Sequence, residues 1–281
     1  MTPATVHVLA QAAAKRNPHD WVNEFVSFSL FHLLTVCVFG TAMLAACKYG
    51  RMCGETPREA RFRRGWGWLV IVYQSYYTFG YLFPKTLFFP SKFSWEESLP
   101  LQVCDLAAFV AGAAMVWQTR WLRALLYFWG IGLSTQAFFT PTLRTGLGSA
   151  HYWMFWIGHT MIVGSAVYDI VVRRFRPTAR DLGITTLISL AYLAVAFGTN
   201  FLLDRSGLLA PGVVSNYGYI GNTRPENPTL IDDLGPWPGR VFILVAIVLA
   251  DFVLLWGIWR VAALFRRKPA PRPATQPDEP R

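Results

Sequence analysis

Long apolar runs, separated by short stretches that hold most of the charge, set the rhythm of this chain. The runs are continuous and do not alternate, so the period-two pattern of a half-buried strand is missing. A helix needs roughly 20 apolar residues to cross about 30 Å of hydrocarbon. Seven segments meet that length, at about 25–47, 66–84, 100–118, 121–140, 151–172, 182–203 and 238–264. Lipid offers no partner to a backbone N–H or C=O, so each segment must satisfy its own groups as a helix. The expected fold is therefore an all-α polytopic membrane protein with a seven-transmembrane-helix bundle over 25–264. Residues 1–24 precede it, and 265–281, with five prolines after Lys268, read as a disordered tail.

Composition agrees with that class: 53% of residues are hydrophobic and only 15% charged, too few charges to solvate a soluble fold of this pattern. Placement of the charges then gives a direction. Loops on one side hold 18 of the 26 Lys and Arg residues, among them Lys48, Arg51, Arg58, Arg61, Arg63, Arg64, Arg120, Arg123 and Arg173. By the positive-inside rule that side is cytoplasmic, which puts the N-terminus outside and the C-terminus in the cytoplasm; the expected location is the plasma membrane. The net charge of +10 is then a signal of topology and of attraction to anionic lipid, and no nucleic-acid partner is expected. The four cysteines suggest no disulfide framework. No HExxH or CxxC spacing is present, so neither metal nor cofactor is expected.

Against this apolar background a few polar residues stand out. His32, Cys104 with Asp105, and His159 lie in the helices expected at 25–47, 100–118 and 151–172, each about four to eight residues from the outer end. Gln136 and Asn200 fall near the outer ends of two ascending helices, and Gln102 shares a face with Asp105. Ionisable groups at this depth are costly and turn by default toward the bundle interior and one another. The expectation is one polar layer in the outer half, overlain by the long 204–237 connection with its Arg224. Asp169 is expected to pair with Arg173 four residues on, whereas Gln74 and Asp251 have no evident partner.

Four ordered motifs carry a resemblance: LPLQVCDL from Leu99, LLYFWGIGLSTQAFFTP from Leu125, FWIGHTMIV around His159, and TLIDDLGPWP from Thr229. Together they resemble the YwaF family of integral membrane proteins, grouped with the transmembrane protein 164 family. Members of the latter are implicated as lysophospholipid acyltransferases with a Cys and His pair. The resemblance implies membrane phospholipid and lysophospholipid partners, a nucleophile at Cys104 and a base at His159. His32, Gln102, Asp105, Gln136, Asn200 and Arg224 would then support or bind substrate. The competing class is a non-enzymatic bundle that binds, senses or transports lipid, with the polar layer as interhelical glue. A variant of that class has His32, His159 and Cys104 hold haem or copper.

Overall fold

The computed structural model describes residues 20–80, 93–223 and 229–265. Its elements are α1 (Leu30–Cys53), α2 (Pro57–Phe79), α3 (Val103–Trp117), α4 (Arg120–Leu125), α5 (Ala150–Val171), α6 (Ala179–Ser206) and α7 (Gly239–Leu264). After α4 the chain continues as a π-helical turn, Leu126–Leu133, and a 3₁₀ turn, Thr135–Phe138. Two further 3₁₀ turns, Tyr217–Tyr219 and Leu230–Leu234, lie between α6 and α7. Among the described residues there is no strand, only an isolated bridge between Glu24 and Thr145.

Four helices, α1, α5, α6 and α7, are long and apolar enough to cross a membrane, and α3 is a shorter apolar helix. The other expected spans take altered forms. α2 begins at Pro57, nine residues before the apolar run expected at 66, because a charged stretch joins the helix. Pro57 has its fixed φ and missing N–H at the first turn, where both suit a helix start. Glu59 and Arg63, one turn apart, are both buried and paired at 3.2 Å. The segment expected as one helix at 121–140 instead passes from α to π to 3₁₀ geometry, with Gly130 and Gly132 in the π turn. Residues 1–19 and the tail from 266 lie outside the described residues.

α5 is central, packing against α1, α2, α3 and the π turn. α2 and α3 meet at two glycines: a Cβ on Gly67 would stand 2.7 Å from the Gly112 carbonyl oxygen, and one on Gly112 would stand 2.8 Å from that of Gly67. Small residues that let backbones touch are the membrane route to tight helix pairing, since burying apolar surface gains little against lipid.

One end of the bundle is tied by ion pairs to buried carboxylates. Arg123 of α4 grips Asp169 of α5 through both carboxylate oxygens at 2.9–3.0 Å, and Arg120 holds Asp181 at 2.6 Å. Asp169 thus pairs across helices and not along its own, correcting the expected Arg173 partner. Arg173 instead reaches Glu59 at 3.6 Å and Gln118 at 3.2 Å. Intrahelical spacing permits a pair, but a buried carboxylate takes the donor that can enclose it.

Candidate functional site

At the opposite end, the start of α3 gathers most of the polar residues singled out above. Gln102 precedes the first turn of α3. Its side chain accepts from the Gly218 N–H at 3.0 Å and donates to the Asn216 carbonyl at 3.4 Å. Asn200 of α6 clamps the same loop, donating to the Tyr217 carbonyl at 2.9 Å and accepting from the Tyr217 N–H at 2.8 Å. The Tyr217 hydroxyl, fully buried, accepts from the Leu99 N–H at 3.1 Å and donates to the Trp95 carbonyl at 2.7 Å. The expected lid over the polar layer is thus a packed plug. Gly218 is needed in it: its φ is +66°, and a Cβ there would meet the Tyr192 hydroxyl.

Asp105 accepts from Gln74 of α2 at 3.1 Å, and Gln74 also donates to Thr78 at 3.1 Å. Tyr77 and Tyr192 stand close enough to Asp105 and Cys104 to interact with them electrostatically, and Tyr219 acts on both tyrosines. The Tyr192 hydroxyl donates to the Leu101 carbonyl at 2.9 Å. Cys104 packs against the cluster formed by Val103, Ala107, Phe128 and Ile162.

The π turn brings a residue that the sequence reading passed over. Its last amide, on Ser134, reaches back five residues to the Trp129 carbonyl at 2.9 Å. Ser134 is fully buried, and its hydroxyl approaches the Cys104 thiol without a hydrogen bond of good geometry to any group. Two contacts fasten this segment to α5. Gly130 abuts Ala166 and Ile162 of α5, and Phe138 meets Trp156 with ring centroids 5.5 Å apart. π-helical turns occur often at functional sites. The GIGLST run, with two glycines before adjacent hydroxyls, was the signal available in the sequence.

His159 has its Nδ1 2.8 Å from the Phe155 carbonyl, and its ring lies 4.2 Å from the Phe155 ring centroid. A ring nitrogen facing a carbonyl must carry the proton, so Nε2 keeps its lone pair. Among the described residues no hydrogen bond joins Cys104 to His159.

His32 and Gln136 do not join this cluster. His32 is buried, with Nδ1 accepting from the Phe28 N–H at 2.9 Å and Nε2 donating to the Phe138 carbonyl at 3.1 Å. Both nitrogens are used in fastening the start of α1 to the 3₁₀ turn. Gln136 is exposed on that turn, because the change from π to 3₁₀ geometry rotates it off the inner face. This corrects its expected place in the layer. Arg224 lies outside the described residues. Asp251 of α7 faces Gly132, with Oδ2 buried and without a hydrogen bond.

The model of a protein family described as the TMEM164 family matches residues 25–256, in keeping with the relation expected from the four motifs. No curated protein and no solved structure matches.

Proposed function

Since this chain belongs to the TMEM164 family, we propose that it is a membrane-embedded acyltransferase that moves an acyl chain between phospholipid and lysophospholipid through a thioester on Cys104. In this reading the bundle has seven spans, the N-terminus lies outside the plasma membrane, and the site at the start of α3 opens to the outer leaflet. The observation that supports it is the meeting of Cys104 with the buried, unbonded hydroxyl of Ser134, and His159 leaves its Nε2 free to accept a proton.

The chemistry balances with these groups alone. The Cys104 proton passes by way of Ser134 to His159 Nε2, and the thiolate attacks the ester carbonyl carbon of a phospholipid. The tetrahedral intermediate collapses, the C–O bond breaks, and the leaving alkoxide takes the proton from His159 to depart as lysophospholipid. An acceptor hydroxyl then gives its proton to His159 and attacks the thioester, and the thiol reforms. Catalytic hydrogen bonds are often long in an unliganded enzyme and tighten around substrate. Gln102, Asp105 and Asn200 hold the loop and the first turn of α3 in place, a positioning role, while Gln74 fixes the Asp105 carboxyl. Arg224 would meet the lipid phosphate.

The test is to supply labelled phospholipid and a lysophospholipid acceptor to purified wild type, Cys104→Ala, Cys104→Ser, Ser134→Ala and His159→Ala. The expected result is a hydroxylamine-sensitive acyl adduct in wild type, absent from both Cys104 variants, with transfer slowed at least tenfold in the other two. A wild type that forms no adduct and transfers no label, while the variants only melt earlier, would leave a non-enzymatic lipid-binding bundle.

A further inference from the structure

Away from the α3 site, at the end of the bundle tied by ion pairs, α1 and α5 approach so closely at Gly50 that the Tyr168 ring occupies the space of a Cβ. Beside that contact runs a groove of about 490 Å³, within the ordinary range for a ligand site. Its wall is split by chemistry. Leu44, Met52, Val167 and Val171 offer apolar surface, and Lys48 and Arg51 stand along the same wall. No acid lines it.

The two cations have no counter-charge in the groove. The buried carboxylates at this end, Glu59, Asp169 and Asp181, are each taken by arginines from other positions. Lys48 and Arg51 make no ion pair among the described residues. Both are exposed and lie in the last two turns of a 24-residue apolar helix. A helix of that length spans the hydrocarbon, so its end stands at the level of lipid headgroups. Apolar wall, paired positive rim and headgroup depth together describe an amphiphile with chains and a net negative head.

We infer that this groove binds one anionic phospholipid, its phosphate between Lys48 and Arg51 and an acyl chain along Val167 and Val171. A zwitterionic lipid fits less well, because its own ammonium competes with the two side chains for the phosphate. The inference stands independently of the acyl-transfer reading.

Native mass spectrometry of the full chain, released from nanodiscs of phosphatidylcholine doped with phosphatidylglycerol, tests it. Wild type is expected to retain one phosphatidylglycerol in preference to phosphatidylcholine. Lys48→Gln with Arg51→Gln removes both direct contacts to the phosphate and should weaken that retention at least tenfold. Arg58→Gln with Arg61→Gln removes the same charge from exposed positions outside the groove and should leave retention unchanged. Val167→Phe, which keeps both cations and fills the wall, should also reduce it. Equal loss in the two charge pairs would mean that only surface potential attracts the lipid. No preference in wild type, or full retention in Val167→Phe, would equally overturn the inference.

Discussion

Two glycines two residues apart on α2 should respond to the same substitution with opposite signs. Gly65 is exposed, and a Cβ there meets nothing within 4 Å, so Gly65→Ala changes only the helix backbone and should stabilise by up to about 1 kcal/mol. Gly67 is buried against α3. A Cβ there would lie 2.7 Å from the Gly112 carbonyl oxygen and 2.9 Å from the Met115 Cβ. Ordinary contact begins near 3.4 Å, so the helices must separate by about 3.4 − 2.7 = 0.7 Å, and no side-chain rotation relieves a clash with backbone. Overpacking of this kind costs about 1–3 kcal/mol, which exceeds the propensity gain. The two variants should therefore differ by about 1–3 kcal/mol once that shared gain cancels. Thermal unfolding of each in the same mild detergent measures the difference. Equal melting of Gly65→Ala and Gly67→Ala would refute the claim that backbone contact sets the spacing of α2 and α3. The spacing also reaches the candidate site. Gln74 lies seven residues after Gly67, and Asp105 seven before Gly112, so the 3.1 Å bond between them sits two turns along the same seam. Gly67→Ala should thus disturb the start of α3, while Gly65→Ala should not.

Other outcomes follow from buried polar groups. Arg123→Ala leaves the Asp169 carboxylate buried without its main partner and should cost about 3 kcal/mol; Asp169→Asn added to it should restore part of the loss in a double-mutant cycle of melting free energies. Thr160 is buried with an unbonded hydroxyl, so Thr160→Val should raise stability by about 1 kcal/mol, and a lower melting point would show that the hydroxyl has a partner in the membrane.

Sequence pattern and structure agree where local physics decides and diverge where distant groups do. The starts of α5, α6 and α7 fall within about three residues of the apolar runs, because lipid permits little else for such segments. α2 starts earlier since the charged stretch before its apolar run joins the helix, where Glu59 takes Arg63 along the helix and Arg173 from beyond α5, the second pairing being invisible along one helix. The π turn has no hydropathy signature: Leu126–Leu133 is as apolar as any span, and only its glycines hint at altered winding. At the site, a polar group near the start of α3 was legible from Gln102, Cys104 and Asp105. Its partners were not, because Gln74 and Ser134 arrive from other helices through packing. Gln136 misleads for a related reason, since its depth was read from regular helical rise and the chain there is not regular.

The Tyr217 plug ties the candidate site to synthesis order. Leu99, Gln102 and Trp95 wait for hydrogen-bond partners that emerge more than a hundred residues later. Contacts so distant in sequence form late, after local helices and neighbouring pairs. A nascent chain that has inserted α1 to α5 thus carries Cys104 on an open-ended helix beside unfilled space. The site acquires the Gln102 and Tyr217 contacts that close it only when the segment after α6 folds back. Shortening that connection would therefore spare helix insertion and remove the finished site, which makes a chain cut after α6 an inserted but incomplete protein.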